Sequence, residues 1–325
     1  MSRLELCAEI SANHLGSLDR ALAIVDAAAD AGADLLKVQT WTPGTMCVSK
    51  DYALGHGPWA GRKLFDLYEE AFTPWEWHAP IFERARARGM EPFGAAFDMG
   101  AVDFLCSLGV NRLKVASFEL VDLPLIRYMA SKGKPVILST GMATTQEVYA
   151  AIQAAAVDAP LITILTCTSA YPASPHDANL ARGPAMREDQ WGLSDHTMGI
   201  GVACAAAAMG AKMIEKHLTL SRADGGPDAG FSMEPHEFKQ MVVECRRAAV
   251  AVGTVKYGPG PNESTELRRS MWVTKDAEPG ELLCLGLNVA TARPALGMSP
   301  ALYRPNMRAA HAIKAGQPLT SECVQ

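Results

Sequence analysis

Short apolar runs alternate with segments whose apolar residues recur at helical spacing, and the pattern continues from Leu4 to His217. The runs predict eight strands: LELCAE, DLLKVQ, EPFGAA, RLKVAS, KPVILS, LITILT, QWGLS and AKMIEKH. Strands that alternate with helices indicate βα units and a parallel sheet. Because eight such units match a TIM barrel, we predict an α/β chain with a closed (β/α)8 barrel, and an open doubly wound sheet is the alternative.

The first predicted helix illustrates the repeat. Ser17 is a suitable N-cap, and one face carries Leu18, Leu22, Val25 and Ala29. Gly32 is predicted to end this helix before the strand DLLKVQ begins. We expect the apolar face to pack against the barrel.

Residues 43–74 interrupt the repeat, because Gly and Pro crowd a stretch that also contains Trp59 and Tyr68. Barrel active sites are built from the loops that follow the strands. We therefore expect this segment to be either part of a lid over the site or an ordinary packed insertion.

A second unit follows the barrel. Residues 253–267 are rich in Gly, Pro, Asn and Ser, which predicts a linker between a barrel domain, residues 1–252, and a compact unit, residues 268–325. Short apolar runs in RRSMWVTKD and NVATARPALGM predict β-structure in the second unit. A unit this small has a limited core, so docking onto the barrel or a partner subunit would help to stabilise it.

Composition narrows the class of protein. The chain has 325 residues, a net charge of −5 and no basic run, which argues against binding to nucleic acid or anionic membranes. Its eight cysteines form no CxxC pair and are typical of reduced, mostly buried thiols. No apolar stretch approaches the ~18 residues of a membrane span, and the first residues lack a signal-peptide pattern. We expect a folded cytoplasmic protein.

Polar side chains collect at the carboxyl ends of the predicted strands, where barrel enzymes carry out chemistry. In strand order they are Glu9, Asn13 and His14; Lys37 and Gln39; Lys114, Ser117 and Glu119; Ser139, Thr140 and Gly141; Cys167, Thr168, Ser169 and Tyr171; Ser194, Asp195 and His196; and Glu215, Lys216 and His217. One such residue is usually structural, but charges near the ends of five strands indicate an active site.

Strand periodicity orients some of these side chains. Residues two apart share a face, so Lys37 and Gln39, and likewise Glu215 and His217, are predicted to point into the barrel. His196 and His217, at the ends of adjacent strands, would either bind one divalent ion or form a buried structural pair.

The two strand lysines, Lys37 and Lys114, need an anionic partner because an unpaired buried charge is costly. The residues leave open whether that partner is a bound phosphate and carboxylate or one of the carboxylates Glu9, Glu119 and Glu215.

Three residues at the start of the next predicted helix offer hydroxyl and N–H groups, namely Ser139, Thr140 and Gly141. They would either contact a phosphate or cap the helix.

Together these motifs resemble the sialic acid synthase family, most closely its pseudaminic acid synthase branch. The resemblance covers nearly the whole chain and is carried by AEISANHLGS, GADLLKVQTWTP, KVASFEL, KPVILSTGMAT, CTSAYPAS, GLSDHTMGIG, EKHLTLSRADGGPD and the C-terminal RRSMWVTKD and ARPALG. It implies a barrel followed by a small antifreeze-like (SAF) domain. It also implies condensation of phosphoenolpyruvate with an amino-sugar aldehyde and release of phosphate.

The resemblance assigns roles to residues. It implies Glu9 as acid/base, Glu215 as a substrate contact and Lys37 and Lys114 as phosphoenolpyruvate ligands, together a catalytic set. His196 and His217 would hold a divalent metal ion, Mn2+ before Mg2+ or Co2+. The remaining substrate contacts implied are Asn13, Gln39, Ser117, Ser139, Tyr171, Ser194, Asp228 and Arg293. Arg293 would reach the sugar site of a partner chain in a domain-swapped homodimer.

Three positions bear on the substrate. Phe118 replaces a glycine that synthases of ordinary sialic acid tend to have, which favours a 6-deoxy, diacetamido sugar. Ala95 stands where the family usually has a hydroxyl, so one phosphate contact is missing. Trp191 replaces a small aliphatic residue after a shortened segment.

The sequence leaves other functions open. The chain could instead be an N-acetylneuraminate or legionaminate synthase that uses another N-acetylated hexose. A Schiff-base aldolase would use Lys37 or Lys114 as nucleophile and need no metal. A barrel that only binds sugar is the third alternative.

Overall fold

The computed structural model describes residues 4–187 and 190–325, and the chain divides into two compact units, the first ending at Gly253 and the second beginning at Thr254. In the first unit, eight parallel strands close into a barrel in chain order. They are β1 (Glu5–Glu9), β2 (Leu35–Thr40), β3 (Glu91–Ala96), β4 (Leu113–Val115), β5 (Val136–Ser139), β6 (Ile162–Cys167), β7 (Trp191–Asp195) and β8 (Met213–His217). The predicted barrel and all eight strands are confirmed.

Helices surround the barrel. They are α1 (Leu18–Ala31), α2 (Pro43–Met46), α3 (Leu64–Ala71), α4 (His78–Ala87), α5 (Met99–Ser107), α6 (Leu123–Ala130), α7 (Thr145–Ala155), α8 (Arg182–Met186), α9 (Gly201–Ala208) and α10 (Pro235–Ala251). The insertion at residues 43–74 contains α2 and α3. No helix in the described ranges has both the length and the apolar character that a membrane crossing needs.

Helix α1 begins and ends as predicted, because the Ser17 side chain accepts a hydrogen bond from the Arg20 N–H and Gly32 follows the helix at φ 90°. The predicted packing face is confirmed, because Val25 is buried and Leu18, Leu22 and Ala29 are partly buried against the barrel core. Ala21, Ile24 and Ala28 are buried as well, so the packed face is wider than predicted.

Strand register determines which side chains face the barrel interior. Glu9 is paired with Lys37 and with His217 on its two sides, and Ala95 is paired with both Gln39 and Lys114. Side chains paired across parallel strands point to the same face. The interior face therefore carries the charged residues at its carboxyl end.

Strand β7 carries Trp191 on the opposite, outer face. Its side chain is fully buried against Gly183 of α8, where an added Cβ would lie 2.1 Å from Trp191 Cε3. The large ring is accommodated because the helix presents a glycine to it.

The second unit contains a two-stranded antiparallel sheet, β9 (Ser270–Val273) and β10 (Val289–Ala292). Its small core is formed by Met271, Val273, Ala277, Leu283, Val289, Met307, Ala309, Ile313, Leu319 and Cys323. The predicted β-structure in RRSMWVTKD and NVATARPALGM is confirmed, and isolated bridges and turns make up the rest of the unit.

Candidate active site

Four charged side chains meet inside the carboxyl end of the barrel. Lys114 Nζ lies 2.5 Å from Glu215 Oε1, and Lys37 Nζ lies 3.4 Å from the same oxygen. Lys37 also forms an ion pair with Glu9. All four side chains are buried. The structure thus pairs Lys37 with Glu9 and Glu215 and Lys114 with Glu215, which are two of the three carboxylates that the sequence left open.

Burial and the contacts among these four side chains change the pKa values of Lys37, Lys114 and Glu9. Burial opposes the charge on Lys37, but the carboxylates of Glu215 and Glu9 outweigh it and raise the pKa of this lysine. Burial lowers the pKa of Lys114, and the nearby Lys37 adds to that effect. Burial raises the pKa of Glu9 against the pull of Lys37. The two ammonium and two carboxylate groups balance, so an entering anion would compete with Glu9 and Glu215 for the lysines.

Hydroxyl groups line the same end of the barrel. Ser194 Oγ donates to Glu215 Oε1 at 3.2 Å. Ser139 Oγ is buried and has no hydrogen-bond partner among the described residues. The Gly141 N–H donates to Ser117 Oγ at 3.1 Å. A buried hydroxyl without a partner is costly in a bare protein and is available to a bound ligand.

The predicted helix start at Ser139, Thr140 and Gly141 was wrong. Helix α7 begins only at Thr145, where Thr144 caps it. Thr140 Oγ1 donates to the Leu165 carbonyl at 3.1 Å, and the Gly141 N–H donates to Ser117. The triplet therefore does not cap α7.

His196 and His217 lie side by side with ring centroids 5.3 Å apart. His196 Nδ1 is 3.0 Å from the Thr168 carbonyl oxygen, so Nδ1 donates and Nε2 keeps its lone pair. Burial and the nearby positive charges hold the pKa of His217 well below its usual value, and its Nδ1 has no described partner.

These imidazoles fit a divalent ion, since a fixed Nδ1–H tautomer and a neutral ring are what metal ligation requires. The sulfur of Cys167, 3.8 Å from His196 Nδ1, helps to raise the pKa of His196 against burial, so an ion would compete with a proton there. Within the described residues, no group of three or more His, Cys, Asp or Glu side chains forms a metal cluster. The remaining ligands would be water or substrate.

A series of side-chain hydrogen bonds connects the turn after β1, strand β2 and the loop after β8. Ser11 Oγ donates to Asp228 Oδ2 at 2.5 Å and accepts from Gln39 Nε2 at 3.0 Å. Asn13 Nδ2 donates to the Leu218 carbonyl and to Ser232 Oγ. The Asn13 amide group thus fixes the loop after β8. Ser11 was not predicted, although its place two residues after Glu9 was a usable signal.

Aromatic rings form one wall of the site. Tyr171 lies 4.4 Å from His196, 5.0 Å from Phe231 and 5.5 Å from Trp59 between ring centroids. Trp59 also donates its indole N–H to the Pro227 carbonyl at 2.9 Å. Part of the 43–74 insertion therefore reaches the barrel end. Phe231 was not predicted and has no charge or motif that marks it.

Two predicted strand-end charges face away from the site. Lys216 Nζ donates to Asp195 Oδ2 at 2.6 Å and to the Thr197 carbonyl at 2.5 Å, on the outer face of the barrel. Thr197 returns two hydrogen bonds to Asp195. The pair is structural, and its hydrogen bonds with Thr197 hold the backbone on both sides of His196.

Three other residues named from the sequence are His14 and Ala95, in the first unit, and Arg293, in the second. His14 is buried against Trp77, and burial lowers its pKa to about 4. Ala95 is buried and faces inward between Gln39 and Lys114, so no hydroxyl is present there. Arg293 belongs to the second unit, where it is exposed.

Comparisons with known proteins place this site in context. The model of the NeuB family matches residues 24–257. A pseudaminic acid synthase of Campylobacter jejuni is 38% identical over 92% of this chain and 90% of its own length. An N,N'-diacetyllegionaminic acid synthase of Legionella pneumophila is 35% identical over 91% of this chain and 86% of its own length. The crystal structure of an N-acetylneuraminic acid synthetase from Leptospira borgpetersenii superimposes with a TM-score of 0.72 at 30% identity, over 80% of this chain and 88% of that one.

Proposed function

The chain belongs to the NeuB family of phosphoenolpyruvate-dependent nonulosonic acid synthases, and from that premise we propose that it makes pseudaminic acid. In this reaction phosphoenolpyruvate, 2,4-diacetamido-2,4,6-trideoxy-L-altrose and water give pseudaminic acid and phosphate. The observation that carries the proposal is the buried pair of lysines beside an unpartnered Ser139 hydroxyl. Such a set suits a small ligand with a phosphate and a carboxylate.

The lysine pair would bind phosphoenolpyruvate. Its phosphate and carboxylate would take over the ammonium groups of Lys37 and Lys114, which now bind Glu9 and Glu215. Ser194 donates to Glu215, and Ser139 shares the interior face of the barrel with Lys114; with Ser117, these serines would add hydroxyl contacts. The exchange of partners takes place when phosphoenolpyruvate binds, so the ordered lysines can then stabilise charge that moves during the reaction.

The bond changes follow from the substrates. C3 of the enol attacks the aldehyde carbon, which forms the C–C bond, breaks the carbonyl π bond and leaves positive charge at C2; the aldehyde oxygen becomes an alkoxide that takes up a proton to give a hydroxyl. Water adds at C2, and the resulting tetrahedral centre expels phosphate by C–O cleavage. Glu9 would be the acid/base that accepts the proton of this water, and burial raises its pKa, which makes the carboxylate a stronger base. Glu215 provides negative charge beside the developing cation.

A divalent ion held by His196 and His217, with Mn2+ preferred over Mg2+ or Co2+, would polarise the aldehyde oxygen as a Lewis acid. Tyr171, whose ring lies 4.4 Å from that of His196, would contact the sugar, as would Asp228, Gln39 and Asn13. The proposed site needs no protein nucleophile, which separates it from a Schiff-base aldolase.

Fewer observations support the choice of sugar. Phe118 follows β4 with 57% of its surface exposed, and an apolar side chain there suits a 6-deoxy carbon better than a hydroxyl. The alternatives are the N-acetylneuraminate and legionaminate reactions, which use other N-acetylated hexoses.

We also propose a homodimer in which the second unit of each chain covers the barrel of its partner and brings Arg293 to the sugar. Exposed apolar side chains follow several strands at the carboxyl end of the barrel, namely Leu15, Met99, Phe118, Met142 and Met198. A partner surface would remove them from water. Light scattering should give twice the chain mass, and Arg293→Ala should raise KM for the sugar. A monomer with full activity would contradict this arrangement.

Phosphate release tests the function. Phosphoenolpyruvate and Mn2+ are supplied with the altrose sugar, with N-acetylmannosamine or with no sugar. Release only with the altrose sugar supports pseudaminic acid synthesis, and preference for N-acetylmannosamine would move the chain to the ordinary sialic acid reaction. No release with any sugar would contradict the proposal. Chelator should abolish release, and added Mn2+ should restore it.

Lysine variants test the binding role. Lys114→Met should raise KM for phosphoenolpyruvate far more than KM for the sugar. Lys63→Met is the matched control, because Lys63 is an exposed lysine paired with Asp51. Equal effects of the two variants would contradict the assignment of Lys114.

A further inference from the structure

Ser11 has an unusual backbone conformation. It lies two residues after Glu9 with φ 47°, in the left-handed region that residues with a side chain seldom adopt. It is also almost fully buried. Strained residues of this kind persist where the surrounding structure requires their particular orientation, and they cluster at functional sites.

The contacts of Ser11 explain that requirement. Its backbone N–H donates to Glu9 Oε1 at 2.7 Å. Its hydroxyl lies 2.5 Å from Asp228 Oδ2 and 3.0 Å from Gln39 Nε2. One serine thus contacts three proposed site residues from three parts of the barrel.

The direction of these hydrogen bonds can be derived. The indole N–H of Trp41 can only donate, and it lies 3.1 Å from Gln39 Oε1. This contact fixes the Gln39 amide with its NH2 group toward Ser11. The Ser11 oxygen therefore accepts from Gln39, and its single hydrogen is directed to Asp228.

We propose that Ser11 is a positioning residue for the sugar aldehyde, acting through Asp228 and Gln39. The inference rests on the proposed function of the site. The Ser11 hydroxyl contacts neither Lys37 nor Lys114 in the described hydrogen bonds and ion pairs, so its loss should leave the phosphoenolpyruvate side unchanged. Without it, Asp228 loses its shortest hydrogen bond and keeps a longer one from the Ala12 N–H at 3.3 Å.

Two variants separate the hydroxyl from the backbone strain. Ser11→Ala and Ser11→Gly both remove the hydroxyl, but only glycine adopts the left-handed conformation without strain. Both should raise KM for the sugar about tenfold or more, as expected for a lost hydrogen bond to a charged group, and leave KM for phosphoenolpyruvate unchanged. The glycine variant should melt at least as high as the alanine variant. Ser107→Ala, an exposed serine on α5, is the control.

A Ser11→Gly variant with the parent KM for the sugar would overturn the proposal, as would equal increases in both KM values. Thermal melting of Ser11→Ala, Asp228→Ala and the double variant tests the contact without turnover. We expect the two melting shifts to be clearly non-additive, because each single change already removes the shared hydrogen bond. Additive shifts would overturn the contact itself, whereas absence of phosphate release from the parent would contradict the proposed function.

Discussion

Glu119 provides a quantitative test of the electrostatics beside the site. It ends the short 3-10 turn after β4, and its Oε2 is buried with no hydrogen-bond partner among the described residues. Burial raises the pKa of this carboxyl from 4.5 to about 7, opposed by its own backbone N–H and reinforced by Asp122. Glu119→Gln replaces the carboxyl with a neutral group of the same shape, so the variant mimics the protonated form.

The sign and size of the effect follow from the two pKa values. Below pH 4.5 Glu119 is protonated whether the chain is folded or not, so parent and variant should be equally stable. Between pH 4.5 and 7 the unfolded chain releases the proton while the folded chain keeps it, and the parent loses stability. One pKa unit corresponds to about 1.36 kcal/mol, so the loss relative to Glu119→Gln should reach about 3 kcal/mol above pH 7.

Urea denaturation of parent and Glu119→Gln at several pH values between about 4.5 and 8 measures this difference. The variant should be the more stable protein at the alkaline end of this range, and its advantage should disappear at the acid end. Glu69→Gln, an exposed glutamate on α3, is the control and should give no such trend. A stability difference that does not change with pH would contradict the raised pKa of Glu119 in the folded chain.

The other predictions concern the outer face of the barrel and the histidine pair. Lys216→Met leaves Asp195 buried without its ammonium partner and should cost about 3–5 kcal/mol in urea denaturation; a loss below about 1 kcal/mol would contradict this. Gly183→Ala should cost about 1–3 kcal/mol because its Cβ would overlap the ring of Trp191, and the same change should cost less in a Trp191→Leu background. His217→Ala should abolish phosphate release while melting remains close to the parent, and parent-level turnover would contradict the metal assignment.

Much of the fold follows from the sequence for simple reasons. Strands buried on both faces are continuous apolar runs, and period-two spacing correctly placed Lys37 with Gln39 and Glu215 with His217 in the interior. The width of the α1 packing face was underestimated because alanine is weakly hydrophobic and its burial depends on how closely the helix approaches the strands. That distance is set by tertiary packing.

The partners of the lysines were beyond sequence reasoning. Glu9, Glu119 and Glu215 all lie near strand ends, and only closure of the barrel between β1 and β8 brings Glu9 and Glu215 to Lys37. The contacts of Ser11 were missed for a related reason, since a serine after a strand usually caps a turn. Its partner Asp228 is distant in sequence and becomes adjacent only through the β8 loop.

The fate of the bridging oxygen of phosphoenolpyruvate distinguishes the proposed C–O cleavage from P–O cleavage. Phosphoenolpyruvate labelled with 18O between C2 and phosphorus is incubated with the chain, Mn2+ and the altrose sugar, and the masses of both products are measured by mass spectrometry. We expect the label in phosphate and a nonulosonic acid that carries an oxygen from water. Label retained in the sugar product or in free pyruvate would show P–O cleavage and contradict this expectation.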